Sequence, residues 1–427
     1  MNILVIVSSW NDQNAVGNTY SNWFGGNEWS DDQFACICTR LQKPSNSVCK
    51  LYYRFTDIEI LKKYLCSHKI GHSFIWDCTE PLHANDSDVT NERRLVESLH
   101  RKPNHFIYYV QEKLRLQGKW VNQNLIDFLK EFKPDIIFTT ANGICMPKDF
   151  VQYIRMYTQA QIVLYISDDM LGKYKTFPWY RRRAQIRGFE YAIESADLIF
   201  GASKLLCEEY QKQFDVQITP LYKGCEITQP IKKKTNSIVR FVYAGNLFYG
   251  RADTLAVLAS AIEQLNQTGM QATLEIYTGT TVSPEIEKKL NLGNSSRIMG
   301  LKPYSEIKEI QNQADIILHV ESFDQEQIDY VHYSFSTKIM DCLQSGSGIW
   351  AIGPSGIASI EYFRNIPGAR VTCNLAQLPK TVEEILLNKE SLLTAALQSR
   401  NFAIEKHDIH TVRAELKQAF SQLLKEG

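Results

Sequence analysis

The stretch Val239-Arg-Phe-Val-Tyr-Ala-Gly-Asn-Leu-Phe-Tyr-Gly-Arg251 decides the fold. Val239–Ala244 reads as a strand, Gly245 closes it, a short loop follows, and a helix begins near Ala252–Thr254. Leu255, Leu258, Ala259, Ile262 and Leu265 then follow the i, i+3, i+4, i+7 stripe of a helix packed on a sheet. The same alternation continues downstream. Strand segments fall at Thr273–Tyr277, Arg297–Met299, Asp315–Val320, Gly348–Ile352 and Ala369–Thr372, separated by helices near 304–313, 336–345, 358–364 and 377–387. Two long helical patterns, 389–405 and 409–425, close the chain.

Upstream the pattern is present but looser. The chain opens with the apolar run Asn2–Ser8, and an amphipathic helix near 107–131 carries Leu114, Trp120, Leu125 and Leu129. Strands follow at Asp135–Thr139, Gln161–Ile166 and Asp197–Gly201, with helices at 147–158 and 181–194. Residues 30–105 show short apolar runs without a readable period. Cys225–Ser237, with Pro230 and Lys232-Lys233-Lys234, reads as an exposed linker. Strands alternating with helices predict βαβ units, so the chain is expected to be α/β: two Rossmann-like, doubly wound parallel-sheet domains facing across a cleft. Ligands of such sheets bind outside the carboxyl ends of the strands.

Composition narrows the function. The 427 residues suffice for two or three domains, and 44% hydrophobic with 22% charged residues excludes disordered and fibrous classes. Lys+Arg and Asp+Glu balance at 47 each, which argues against a protein that holds nucleic acid by bulk charge, and no nucleic-acid partner is expected. Runs such as Ile3–Val7 are far shorter than the ~20 residues that span a bilayer. The opening Met-Asn-Ile-Leu-Val-Ile-Val lacks a basic n-region and a cleavage site, so a cytoplasmic protein is expected. The 10 cysteines are scattered and read as reduced, mostly buried thiols. Cys36 and Cys38 would share one strand face, and no metal site is expected from them.

Three segments carry chemistry. At the first, Gly245, Asn246 and the amides of the following helix start form an anion site where Arg251 can fork onto a phosphate; a tight turn with a surface Arg is the alternative. At the second, Tyr333-Ser-Phe-Ser-Thr-Lys-Ile-Met-Asp-Cys-Leu-Gln-Ser-Gly346, Ser336 is expected as the N-cap. Lys338 then lies in the first helical turn, where a cation opposes the helix dipole. That placement makes sense if an anion shares the helix end, and Ser336, Thr337 and Lys338 would cradle a diphosphate. Asp341 shares the face of Lys338 and can accept two hydrogen bonds from a ribose diol. A capped surface helix with a Lys–Asp pair is the plainer reading. The third segment, Asp315-Ile-Ile-Leu-His-Val-Glu-Ser-Phe-Asp324, delivers Glu321 to a strand end, while His319 reads as a core histidine. Gly353 closes the next strand in an amide-rich loop. In the first domain, Gly25, Gly26, Asp168 and Asp169 are candidates for acceptor contacts, with surface-loop and capping roles as alternatives.

Taken in order, Tyr-Ala-Gly-Asn…Gly-Arg, Ala314-Asp315…His-Val-Glu-Ser-Phe, Ser-Phe-Ser-Thr-Lys-Ile-Met-Asp-Cys-Leu-Gln-Ser-Gly and Ala351-Ile-Gly-Pro resemble the nucleotide-binding half of GT-B-fold glycosyltransferases of the retaining, family-four type. Gly17-Asn-Thr-Tyr, Lys133-Pro-Asp-Ile-Ile-Phe, Ser167-Asp-Asp and Ser195-Ala-Asp-Leu-Ile-Phe-Gly-Ala-Ser203 look like the first half of the bacterial surface-polysaccharide members. The resemblance implies transfer of a sugar from a nucleotide diphosphate donor to a saccharide or lipid-diphosphate-linked acceptor, with no further cofactor and no metal. It implies an acceptor domain at 1–228, a donor domain at 229–405, and a final helix, 406–427, crossing back. Arg251 and Lys338 would neutralise the leaving diphosphate, Asp341 would bind ribose, and Glu321 would face the donor sugar. Two departures stand out: Tyr333 occupies the place of the first of two glutamates eight apart, and Thr139-Thr-Ala-Asn-Gly143 lacks the family's histidine.

Lys173-Tyr-Lys-Thr-Phe-Pro-Trp-Tyr-Arg-Arg-Arg-Ala-Gln-Ile-Arg187 interleaves six cations with aromatics. It suggests contact with anionic lipid headgroups at the inner face of the cell membrane or with a lipid-diphosphate acceptor; a basic helix start paired with Glu190 and Glu194 is the alternative. Rival functions are a sugar-nucleotide epimerase, a degenerate nucleotide-binding assembly protein, and a metal-dependent transferase using Asp86-Ser-Asp88.

Overall fold

The structure, a computed structural model, describes all residues except 13–14, 66–68, 77–103, 142–145, 228–235 and 427. The Asp86-Ser-Asp88 triplet, the Lys232–Lys234 run and the Asn142–Gly143 part of the histidine-lacking loop lie outside the described residues. The chain divides into two compact units, Met1–Tyr222 with His410–Gly427, and Lys223–Ile409.

The strands of the first unit are β1 (Asn2–Val7), β2 (Gln33–Cys38), β3 (Leu51–Arg54), β4 (His72–Ile75), β5 (Ile136–Thr140), β6 (Gln161–Ile166), β7 (Leu198–Gly201) and β8 (Thr219–Pro220). They lie in the order β4-β3-β2-β1-β5-β6-β7-β8. Every pairing is parallel except that of β4, an antiparallel edge strand. The opening apolar run forms β1 because both of its faces are covered. Ile3, Val5 and Val7 enter one core with Trp10, Trp23 and Phe138, while Leu4 and Ile6 enter another with Tyr53 and Ile137. Residues with no readable period in the sequence supply β2, β3 and β4. Cys36 and Cys38 are buried on the same face of β2, in the first of those cores.

The second unit holds β9 (Val239–Ala244), β10 (Ala272–Tyr277), β11 (Ser296–Gly300), β12 (Ile316–Val320), β13 (Gly348–Ile352) and β14 (Arg370–Thr372), in the all-parallel order β11-β10-β9-β12-β13-β14. Each sheet starts in its middle and reverses direction there, between β1 and β5 in one and between β9 and β12 in the other. Those reversals are the topological switch points at which doubly wound sheets bind ligands.

Two helices differ from expectation. The single helix expected near 107–131 is two, His105–Leu116 and Gln123–Phe132. Gly118, at φ 69°, breaks the first, and the Asn122 side chain caps the second by accepting from the Leu125 N–H. The expected N-cap at Ser336 is replaced by Thr337, and the helix runs Lys338–Gln344; Ser336 Oγ instead accepts from the Lys338 N–H at 3.4 Å.

The last helix, Ile409–Glu426, returns the chain to the first unit. Val412, Leu416 and Phe420, at i, i+4 and i+8, enter its core, and the Phe420 ring lies 5.9 Å from Trp29 and 6.3 Å from Phe24. Fully burying one such side chain contributes about 1.5–3 kcal/mol. Arg413 Nε also donates to the Asn22 carbonyl at 2.7 Å. Among the described residues no helix is long and apolar enough to cross a membrane.

Candidate functional site

The site is built at the β9–β12 switch point of the second unit. β9 ends at Ala244, and Gly245 lies close under two side-chain ends: a Cβ built there would collide with Lys338 Nζ and lie 2.8 Å from the Tyr243 hydroxyl, so a larger residue would have to displace them. The chain then curls through two left-handed residues, Tyr249 (φ 59°) and Gly250 (φ 69°). Gly250 packs on Ser322, with 2.9 Å from a built Cβ to that of Ser322. Tyr249 has no glycine's freedom, and its ring stacks on Tyr330 at 5.1 Å.

This curl opens the helix Arg251–Gln267 and aims Arg251 across the switch point at Glu321. Arg251 Nε donates to Glu321 Oε2 at 3.1 Å and Nη2 to Oε1 at 3.2 Å, a two-pronged ion pair. Nη1 donates to Asn246 Oδ1 at 2.8 Å. Glu321 is 3% exposed, and His319 Nε2 lies 3.2 Å from its Oε1. Burial alone would push this carboxyl up, but His319 and Arg251 together hold it below its ordinary value. Gly353, after β13, packs on it, with a built Cβ 3.0 Å from Glu321 Cβ.

Lys338 completes the cluster from the first turn of its helix. Burial lowers its proton affinity and the Arg251 charge lowers it further, while Asp341 and Glu321 act the other way. A cation placed against a second cation, in the turn where the helix dipole is also positive, becomes favourable when an anion joins them. Asp341, on the same helix, accepts from the Tyr304 hydroxyl at 3.0 Å and from Gln344 Nε2 at 3.2 Å. Tyr304 is a neighbour that the sequence reading missed, because it lies 37 residues away in the chain.

Arg251, Glu321, Lys338, Gly245, Asn246 and Gly353 therefore come together; Ser336, Thr337 and Asp341 lie on the segment that carries Lys338. The first unit places its candidates differently. Gly25 and Gly26 follow the helix Ala15–Phe24, which runs back from the carboxyl end of β1, and they pack against Arg413 of the last helix. Their position is at the amino edge of the sheet, where a docked helix requires close backbone approach. Asp169 caps the helix Met170–Lys175, accepting from the Gly172 N–H at 2.9 Å and the Tyr210 hydroxyl at 2.7 Å. Asp168 Oδ1 accepts from the Asp169 N–H at 3.0 Å.

Sequence reading missed a carboxylate at the carboxyl end of β1. Asp12 accepts from the Ser21 hydroxyl, which in turn accepts from Trp10 Nε1 at 2.9 Å, and burial raises its carboxyl above the ordinary value. Its place in the first βα loop, at the β1–β5 switch point, is the signal that would have found it.

The basic segment 173–187 is corrected in one respect. Arg181 is 2% exposed and points inward, with Nε 3.0 Å from Glu112 Oε1 and its guanidinium 4.2 Å from the Phe177 ring. Lys173, Lys175, Arg182, Arg183 and Arg187 are exposed.

No family model matches this chain, and no curated protein matches it. Solved structures do. Sucrose-phosphate synthase from Thermosynechococcus elongatus superposes with a TM-score of 0.66 at 11% identity, over 100% of both chains. HepE from Anabaena in complex with UDP gives 0.63 at 12% identity, covering 99% of this chain and 100% of that one. WaaG, a glycosyltransferase involved in lipopolysaccharide biosynthesis, gives 0.58 at 12%, over 99% of each chain. At such identities the likeness is one of fold, and with the two doubly wound sheets described above it establishes the GT-B fold.

Proposed function

We propose that this chain is a glycosyltransferase that takes a sugar from a nucleoside diphosphate sugar and passes it to a saccharide or lipid-diphosphate-linked acceptor in cell-surface polysaccharide synthesis. The observation that carries this reading is the convergence of Arg251 and Lys338 at the β9–β12 switch point, two cations sharing one helix-mouth setting. HepE, of the same fold, is solved with UDP and with UDP-glucose, and WaaG acts in lipopolysaccharide synthesis; both support the donor and the product class.

In this reading the second unit holds the donor. Lys338 and Arg251 stabilise the negative charge that grows on the diphosphate as the sugar leaves, a task that needs no metal when two fixed cations are already aimed. Ser336 and Thr337 supply hydroxyls and amides to the phosphates, and Gly245 lets the backbone come close. Asp341 takes the ribose diol. Glu321 acts through Arg251: its two-pronged bond fixes the guanidinium plane, so it is a positioning residue. The first unit holds the acceptor through the carboxyl edge of its sheet, with Asp168 and Asp12 as the carboxylates nearest that edge. We place the reaction in the cytoplasm, at the inner face of the membrane where a lipid-diphosphate acceptor is presented, with the anomeric configuration retained.

The experiment is a thermal-shift titration with UDP and UDP-glucose, followed by NMR of the product anomer on any acceptor that turns over. A UDP-dependent rise in melting temperature, equal in excess chelator, is the expected result. No rise with any nucleoside diphosphate or its sugar would defeat the donor assignment.

A further inference from the structure

The helix Trp179–Glu194 presents two unlike faces. Arg181, Gln185, Gly188, Phe189, Ala192 and Ile193 are buried, which fixes the inward side. Opposite them, Trp179, Arg182, Arg183, Ile186, Arg187 and Glu190 line an open hollow of about 320 Å³. Trp179 is 75% exposed, far beyond what an indole needs for packing. The short helix before it adds the exposed Lys173 and Lys175.

A neighbouring helix extends the apolar part. His105–Leu116 packs against Trp179–Glu194 through Glu112 on Arg181 and Tyr109 on Tyr180, and its outer stripe leaves Phe106 64% exposed, with Ile107 and Val110 also exposed. Burying Arg181 between Glu112, Tyr108 and Phe177 ties the two helices together.

We propose that this face is a docking surface for anionic lipid headgroups of a bilayer, with Arg183 and Arg187 on the phosphates and Trp179 at the interfacial depth. It deepens the membrane placement in the function proposed above and rests on residues separate from the donor site. Charge decides the occupant. Five exposed cations, of which Arg182 also donates to the Lys175 and Phe177 carbonyls, stand against Glu190 in the hollow and the exposed Glu194, so a negatively charged surface is attracted and a neutral one is not. An exposed indole beside exposed guanidinium groups is the combination that interfacial aromatic and basic residues supply at headgroup level.

The test is co-sedimentation of the full chain with phosphatidylcholine vesicles containing either no or 30% phosphatidylglycerol. Binding is expected only with the anionic lipid, weakening as salt rises. Each exposed cation is worth roughly fivefold in partition, so Lys175→Gln, Arg183→Gln and Arg187→Gln together should weaken it on the order of 100-fold. Brominated lipid should quench tryptophan emission, and Trp179→Phe should remove most of that quenching. The triple variant should keep its UDP-induced thermal shift, which separates this surface from the donor site. Equal binding to neutral vesicles, or an undiminished partition in the triple variant, overturns the proposal. So does a lipid-free dimer in sedimentation that the triple variant dissolves, because the face would then belong to a second copy.

Discussion

Among the described residues, each unit holds an Arg–Glu pair with a deeply buried carboxylate and a histidine beside it, Arg181–Glu112 and Arg251–Glu321, and the two differ in geometry and in exposure. Arg181–Glu112 in the first unit is a single-pronged contact wedged among aromatic rings, its Arg also 2.8 Å from His105 Nδ1, with side chains 3% and 2% exposed. Arg251–Glu321 in the second is two-pronged, backed by Asn246 and His319, and its Arg keeps 14% exposure at a strand-end loop. For Glu112 burial outweighs Arg181 and the carboxyl is pushed up; for Glu321 its partners outweigh burial and it is held down. A buried ion pair can therefore be glue between helices or an aiming device, and the number of prongs and the opening to solvent tell which.

The strongest way to break that comparison is to remove each carboxylate. Leaving a buried Arg without its partner costs about 3–5 kcal/mol, so Glu112→Ala and Glu321→Ala should both lower the midpoint of denaturant unfolding. They should part company in binding: Glu112→Ala keeps the UDP-induced shift, whereas Glu321→Ala loses it because Arg251 is no longer aimed. Loss of UDP binding in both would erase the distinction.

Lys338→Ala sharpens it from the other side. Removing one preorganised charge from a leaving-group site typically costs 10²–10³-fold in rate, about 2.7–4 kcal/mol. Stability should not fall, since the ammonium sits buried beside Arg251 and is disfavoured by both. A marked drop in melting temperature would mark Lys338 as structural.

The pairs should also answer pH in opposite senses. Glu321, held below its ordinary value of 4.5, gives stability that is present above that value and lost as pH falls through its folded one. Glu112, raised above 4.5, gives stability that is present below that value and lost as pH rises through its folded one. Unfolding curves from pH 3 to 8 should show the deficit of Glu321→Gln growing toward neutrality and that of Glu112→Gln shrinking. A tenfold change in proton affinity corresponds to about 1.4 kcal/mol, which sets the scale of either slope.

The sequence was legible where order in the chain and order in space coincide. From 239 to 372 strands alternate with helices, and the central strands β9, β12 and β13 are buried nearly throughout, so the alternation can be read directly, and Arg251, Glu321 and Lys338 emerge at strand or helix ends. Residues 30–75 were opaque because β3 and β4 are four residues each and owe their existence to neighbours across the sheet. The two ion pairs were equally opaque: their partners lie 69 and 70 positions apart. Arg181 consequently looks like one more member of an exposed basic run until Glu112 is seen beside it. Gly25 and Gly26 show a related limit, since a glycine pair signals close approach without saying to what, and here Arg413 of the last helix lies against both.

The smallest effect tests whether the donor-site loop stores strain that the glue-like pair does not need. Tyr249 stands at φ 59°, where a bulky residue costs on the order of 1 kcal/mol or more, and its stack on Tyr330 contributes about 0.5–1.5 kcal/mol in return. Tyr330→Ala should remove the stack and destabilise by at least that amount. Tyr249→Gly removes the stack, the ring's contact with the Arg251 guanidinium at 5.6 Å and the strain together, so it should cost less than Tyr330→Ala despite deleting an entire aromatic ring. Measured by urea unfolding as a double-mutant cycle, Tyr330→Ala should cost less by the worth of the stack once Tyr249→Gly is made, and Tyr249→Gly should stabilise once Tyr330→Ala is made. A Tyr249→Gly penalty as large as that of Tyr330→Ala or larger would mean that the left-handed turn is relaxed, and that the loop is held by packing without stored strain.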